Sequence, residues 1–395
     1  MEETKKTRKT IPRWKAVLAC VLCLILGGTA ALGGVWLAIG QDGRTLLQAQ
    51  RLIEEKFVGE YDQTAHRQAT LNTMVAALGD RWSYYLTPEG YQATLEKRQN
   101  SYVGIGITVS REDPKDLVIL AVTHGGPAEE AGVLAGDVIL AVDGTPLTPE
   151  NREERIAAIK GQEGTTVTLE LRRTDDSQVT LEVERRTIQE ISADWVMTPD
   201  GVGLLTIYNF YSGTADLVTQ GVEELLDQGA QALVLDVRYN PGGYVSELVD
   251  ILDLLLPEGD IFISRTADGK ETVYTSDESY VDLPMAVLVN EESFSAAEFL
   301  AAQLREANGA LVVGTQTTGK GYSQMLYELA DGSAMGLSTA RYYTGSGVSL
   351  IGTGLEPEPS VAMTDQANAK LLAGQLPMEE DLQYQAAVRA LDLGE

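Results

Sequence analysis

Two short, almost wholly apolar runs, at 232–237 and Met285–Val289, do most to limit the fold of this chain. A strand that is apolar on both sides has no face to give to water and must be covered by a layer on each. Each run is followed by a loop and then by a helical pattern, at 245–256 and at about 295–306, and a third run follows at 310–313. This alternation predicts an α/β layer built on partly parallel strands. Beyond it, 323–329 and 333–339 flank Asp331-Gly332, the signature of a β-hairpin, and 364–395 read as a helical tail.

Upstream the pattern changes twice. Residues 44–98 carry Leu46, Leu47, Ile53, Phe57, Leu71, Met74, Val75 and Leu78 at roughly helical spacing, broken near 58–61, and end in the aromatic turn Gly79-Asp80-Arg81-Trp82-Ser83-Tyr84-Tyr85-Leu86. Packing accounts for those aromatics. Residues 101–188 are instead short β-type runs at 103–107, Leu117–Val122, 137–142, 167–171 and 179–183, parted by Gly125-Gly126-Pro127 and Asp143-Gly144, with one helix at about 150–159.

The N-terminus predicts a membrane anchor. Residues 16–40 carry no charge and are long enough to cross a hydrocarbon core as a helix. The basic segment 1–15 before them holds six Lys/Arg against Glu2 and Glu3 and should stay cytoplasmic. The expectation is a single-pass protein of a bacterial cell membrane with everything after the anchor extracytoplasmic. A small-residue cleavage site at Gly28-Thr29-Ala30 or Ala31-Leu32-Gly33 is the competing reading, a removed signal peptide. The net charge is −28, and because residues 1–15 are basic the rest is more acidic still, which excludes nucleic acid as a partner. Both cysteines, Cys20 and Cys23, lie inside the apolar segment, so the remainder uses no disulfide.

Reactive groups are few. His66 and His124 sit far apart in separate modules, and no His/Cys cluster is present to bind a metal, so neither metal nor cofactor is expected. Ser295 falls where a strand gives way to a helix, placing its hydroxyl at the positive end of the helix dipole, although an ordinary N-cap serine looks the same. Lys320 lies in Thr318-Gly319-Lys320-Gly321, and a lysine amine made neutral by burial can activate a serine. Gln324, four residues on, could hold that amine by a hydrogen bond. In Asp236-Val237-Arg238-Tyr239-Asn240-Pro241-Gly242-Gly243, the glycines can turn backbone N–H groups towards an oxyanion, or serve as plain turn residues. Gly314-Thr315-Gln316-Thr317-Thr318-Gly319-Lys320 imitates a phosphate-binding loop, but Gly321 stands where Ser or Thr would hold Mg²⁺ and a strand pattern follows instead of a helix.

Residues 99–188 resemble a PDZ domain of the bacterial protease type, through Gly104-Ile105-Gly106-Ile107 and Gly136-Asp137-Val138-Ile139-Leu140-Ala141-Val142-Asp143-Gly144. That resemblance implies that backbone N–H groups of Gly104, Ile105, Gly106 and Ile107 receive a peptide's terminal carboxylate, with the peptide added as a strand. From about residue 44 onward the chain resembles a carboxyl-terminal processing peptidase of the tail-specific type, a serine protease with an inserted PDZ domain. The motifs occur in that family's order: Asp80 with Ser83-Tyr84-Tyr85-Leu86, the PDZ module, Asp236-x-Arg238-x-Asn240-Pro241-Gly242-Gly243, Ser295-Ala296-Ala297-Glu298, Thr318-Gly319-Lys320-Gly321-x-x-Gln324, Arg341-Tyr342-Tyr343-Thr344 and Gly352-x-Gly354-Leu355-x-Pro357.

The fold so implied is α/β: a spiral βαβ core of the crotonase/Clp-like type at 189–362, an inserted β-rich PDZ domain, and helical segments at 41–98 and 363–395. The resemblance makes Ser295 the nucleophile, Lys320 the general base and Gln324 the residue orienting it. It gives the oxyanion hole the N–H of Ala296 and that of Gly242 or Gly243. It also implies protein or peptide substrates with exposed C-termini, a homodimer joined through the helical ends, and an activating partner protein. Ala297, Thr318 and Glu358 depart from the family's usual residues without removing a catalytic group. The rival is an inactive, membrane-tethered PDZ scaffold.

Overall fold

The structure is a computed structural model that describes residues 37–110 and 116–391, together with Trp14, Leu18, Leu22, Cys23, Leu26 and Gly34. The chain divides into two units, 1–69 and 70–395. The first contains the Gly40–Lys56 helix, which buries none of its residues, and Tyr61, whose ring meets those of Phe57 and His66 edge-on. The anchor expected at 16–40 falls largely outside the described residues. The single-pass membrane placement is corrected: among the described residues no helix is long and apolar enough to cross a membrane.

In the second unit the two apolar runs are the central strands Ala232–Asp236 and Met285–Val289, and every residue of both is buried. They pair in parallel, flanked by parallel Val202–Ile207 on one side and Leu311–Gly314 on the other, with Ala193–Met197 added antiparallel at the edge. The two-residue period of a strand then sorts the side chains. Leu233, Leu235, Val287 and Val289 pack under the helices Thr214–Asp227, Val245–Leu255 and Ala296–Ala307. Val234, Ala286, Leu288 and Val313 face the other way and are covered by Tyr384 and Ala387 of the C-terminal helix Leu382–Leu391.

A second sheet contains the expected hairpin, Tyr322–Glu328 against Ala334–Thr344, turning at Gly332 with φ 81°. Its other strands, Gly259–Thr266 and Glu271–Ser276, are not apparent from the sequence pattern, and neither is Tyr84–Leu86, which pairs with Ala334–Thr344 from within the aromatic turn. The β-rich insert has its own core around Ile105, Leu117, Ile119, Val142, Leu169 and Val183. It leaves and returns on one antiparallel ribbon, Ser101–Gly104 with Arg186–Gln189. The fold is α/β, a core of βαβ units carrying a β-rich insert with a hydrophobic core of its own.

Candidate active site

Ser295 stands between the Met285–Val289 strand and the Ala296–Ala307 helix with φ 59° and ψ −122°, a conformation an L-residue adopts only when its surroundings impose it. Those surroundings are a zipped pair of loops. Ser293 Oγ donates to Val237 O at 2.7 Å, Phe294 N–H to Asn240 O at 3.1 Å, and Asn240 Nδ2 to Ile207 O at 2.7 Å. Gly242, at φ 84°, lies so close to Ser295 that a Cβ would stand 2.8 Å from Ser295 Cβ and 2.9 Å from Ala296 N. The two glycines differ in their use. Gly242 N–H donates to Asn240 Oδ1 at 2.8 Å, whereas Gly243 N–H and Ala296 N–H have no acceptor among the described residues. Gly243 and Ala296 also line, with Ser295, a narrow apolar pocket walled by Val245, Leu248, Phe262, Phe299 and Tyr342.

Lys320 reaches the same place on a loop pressed against 350–355. A Cβ on Gly319 would meet Gly354 N at 2.8 Å, Gly352 N–H donates to Gly319 O at 2.9 Å, and Leu355 N–H donates to Thr317 Oγ1 at 2.7 Å. The motif Gly352-x-Gly354-Leu355 is therefore the bed on which the lysine loop lies. The Lys320 amine sits 4.9 Å from the centroid of the Trp82 ring and 5.5 Å from that of Phe294. Burial, aided by the nearby Arg98 guanidinium, pushes it down to about 8, while the Glu298 and Asp80 carboxylates pull it back up. The Ser295 hydroxyl and the Lys320 amine are not hydrogen bonded to each other. Gln324 turns elsewhere too: its Nε2 donates to Tyr322 O at 3.1 Å and Ser338 Oγ at 3.2 Å.

One residue links the serine and lysine loops, and sequence reasoning assigned it no role. Glu298 is fully buried. Its Oε2 accepts the N–H of Ser295 at 3.0 Å and of Lys320 at 2.9 Å. Its Oε1 accepts Thr317 Oγ1 at 2.5 Å and Gly319 N–H at 2.6 Å. The available signal was the Ser-x-x-Glu spacing of a capping box, which announces the local bond but not the distant loop. Trp82 does more than pack against Phe294: its ring also lies against the Lys320 amine. The turn carrying it is fixed through Asp80, which accepts Ser83 Oγ at 2.6 Å, and through Ser83 Oγ, which accepts Ser338 N–H at 3.1 Å.

In the insert, Gly104, Ile105, Gly106 and Ile107 line a groove with Tyr102, Val109, Ile156, Ile159 and Lys160. Gly106 has φ 79°, and the carbonyls of Ile105 and Gly106 accept Ala128 and Thr123 N–H groups, both at 2.9 Å. The N–H groups of Ile105 and Gly106 have no acceptor among the described residues. The groove and the serine site are built by separate elements of one unit.

Comparison with known proteins places the chain among peptidases. Residues 201–361 match peptidase family S41, and residues 118–173 match the PDZ domain. A carboxy-terminal processing protease CtpA of Bacillus subtilis is 30% identical over 90% of this chain and 77% of its own length. A chloroplastic C-terminal processing peptidase of Tetradesmus obliquus is 31% identical over 77% of this chain and 70% of its own. Among solved structures, one described as an S41 protease from Bacteroides fragilis superposes with a TM-score of 0.55 at 19% identity, over 85% of this chain and 92% of that one, a likeness of fold.

Proposed function

This chain belongs to peptidase family S41, among its carboxyl-terminal processing serine proteases, and from that premise we propose that Ser295 and Lys320 are its catalytic pair. The observation that carries the proposal is the Glu298 carboxylate, whose Oε2 accepts the backbone N–H of both residues and so ties nucleophile and base into one site. Neutral Lys320 takes the Ser295 proton as Oγ attacks a peptide carbonyl. The N–H groups of Ala296 and Gly243, which have no other acceptor among the described residues, hold the oxyanion. The lysinium then protonates the leaving amine, and water hydrolyses the acyl-enzyme. For this the amine must leave the Trp82 and Phe294 rings and hydrogen-bond the serine, a step that substrate binding would drive. In that movement Gln324, whose Nε2 donates to Tyr322 O and Ser338 Oγ, would accept the amine's N–H through Oε1.

Residues 189–362 are on this reading the protease core and 99–188 the domain that receives the substrate's C-terminus. Support for that second role is the pair of unpartnered N–H groups at Ile105 and Gly106, at the head of an apolar groove suited to a terminal carboxylate. The apolar residues packed beside Ser295, among them Val245, Leu248, Phe262 and Tyr342, leave no room there for a water, so a substrate side chain would enter only if they moved apart. Cleavage of an unfolded protein by the parent, lost in both Ser295→Ala and Lys320→Ala, is the expected result. Cleavage surviving in either variant refutes the pair. Peptide binding to the insert without cleavage by any form returns the inactive scaffold.

A further inference from the structure

The strand that follows Lys320 has a free edge. Tyr322–Glu328 pairs only with Ala334–Thr344 among the described residues. Leu329 N–H donates to Ser333 O at 2.7 Å, which fixes the phase of the ladder. By antiparallel alternation, Tyr327 and Met325 exchange bonds with Met335 and Leu337, and the N–H and C=O groups of Glu328, Leu326 and Gln324 point away from the sheet. The phase is checked on the partner strand, where Ser338, opposite Gln324, sends its N–H outward to Ser83 Oγ at 3.1 Å. The outward groups of the 324–328 edge have no partner among the described residues.

The edge is also apolar where edges are usually guarded. Met325 is 55% and Tyr327 48% exposed, on one face at two-residue spacing. Folded proteins blunt such edges with charge, proline or a cover, because an open one recruits another strand. Here the open row begins at Gln324, about 13 Å of extended chain beyond Lys320.

We propose that the outer edge of the Tyr322–Glu328 strand is a substrate-docking surface, where an extended segment of the polypeptide being cleaved adds as a further strand, its backbone paired with Gln324, Leu326 and Glu328 and its alternate side chains against Met325 and Tyr327. The proposal rests on the peptidase reading above. An unfolded polypeptide is the occupant that the geometry selects. Only extended backbone satisfies alternate N–H and C=O groups along one edge, and a chain laid on this edge is led directly to Lys320. Recognition of this kind is indifferent to sequence except at alternate side chains, as a protease acting on unfolded segments requires. It would hold the chain several residues from the bond being cut, apart from the carboxylate site in the insert.

The test compares a twelve-residue and a four-residue substrate by their ratio of kcat/KM. Leu326→Pro removes one outward N–H and no ladder bond, a change an edge strand accommodates. The ratio is expected to fall about tenfold, the loss of one edge bond and its neighbours' alignment. Leu326→Ala keeps the N–H and should lower the ratio less; Met325→Asp should lower it as the proline does. Equal ratios in the proline and alanine variants, or no fall in either, overturn the proposal. Should Leu326→Pro fail to fold, single backbone N-methylation along the long substrate gives the same reading, with losses expected at every second residue and an aperiodic pattern overturning it. Loss of self-association in Met325→Asp, with the ratio unchanged, would assign the edge to a second copy. A parent that neither cleaves nor is phosphonylated at Ser295 by a fluorophosphonate, with loss of fluoride, refutes the peptidase reading itself, whereas a parent that cleaves with an unaltered ratio in the variants refutes only the docking strand.

Discussion

Glu298 is buried from solvent, so a carboxylate there depends on hydrogen-bond donors, and four groups supply them. Glu298→Gln would turn an amide NH2 onto two of those donors, at about 1–3 kcal/mol for each one left unsatisfied. Because the carboxylate fixes the backbone of Ser295 and Lys320 together, displacing either loop by about an ångström should cost roughly a hundredfold in rate. The expected variant is folded, less stable to denaturant, and defective in kcat far more than in KM; wild-type kcat would show that the carboxylate merely fills space. The pH profile tests the neighbouring residue. Lys320 works as a base only when unprotonated, and burial first and the Arg98 charge second bring it down to about 8. Cleavage should therefore rise with pH through about 8 and then level. Arg98→Met removes a like charge, makes the ammonium easier to keep, and should shift the rise to higher pH, lowering the rate at neutrality while leaving the plateau. An unmoved midpoint would mean that Arg98 does not reach the amine electrostatically.

The C-terminal helix belongs to the same mechanics from behind the sheet. Arg238, at the root of the Asn240–Gly242 turn, is buried between Asp236 and Asp381: its Nη2 donates to Asp236 Oδ2 at 2.5 Å and to Asp381 Oδ2 at 2.8 Å, and its Nη1 to Gln383 Oε1 at 3.0 Å. Asp381→Ala breaks a buried pair from one side, which should cost about 3 kcal/mol, and should lower kcat through the Asn240–Gly243 turn, the oxyanion site proposed above, without changing peptide affinity at the insert. Paired melting and peptide-binding measurements decide this; a stability loss with kcat intact would leave the tail a purely structural cover. None of this coupling is legible in the sequence, because Arg238 and Asp381 are separated by most of the core. The strands Ala232–Asp236 and Met285–Val289 are legible, since burial on both faces writes itself as an unbroken apolar run. Gly259–Thr266 and Glu271–Ser276 are not, for their burial follows no two-residue alternation: Ile261 and Phe262 are buried side by side, and Glu271–Ser276 is largely exposed. Gln324 shows the limit for sites. Its place on the Tyr322–Glu328 strand is legible from the hairpin pattern, but the donation of its Nε2 to Tyr322 O and Ser338 Oγ depends on the partner strand and is not. Glu298 was visible as a helix-capping glutamate and invisible as the partner of a loop some twenty residues away.

At the level of the whole molecule, the insert and the core are packed independently. The cluster around Ile105, Leu117, Leu169 and Val183 shares no residue with the one beneath the Ala296–Ala307 helix, and the insert is joined to the core through the ribbon in which Gly104 faces Arg186. Residues facing each other across an antiparallel pair are close enough to be joined by a two-residue turn. Replacing 105–185 by Asn-Gly would convert the ribbon into a hairpin and remove one hydrophobic core without opening the other. The expected product is folded, melts in a single transition, and is phosphonylated at Ser295 by a fluorophosphonate at the parent's rate, since Glu298, Lys320 and the Asn240–Gly243 turn all lie outside the excised stretch. What it should lose is discrimination. The parent should cleave a substrate ending in a free carboxylate faster than the same chain ending in an amide, because only the former can use the Ile105 and Gly106 N–H groups, and the excised protein should cleave both alike. A preference that survives excision would put carboxylate recognition in the core, and a product that labels slowly would mean that the insert helps to bring Lys320 from its aromatic platform to the serine.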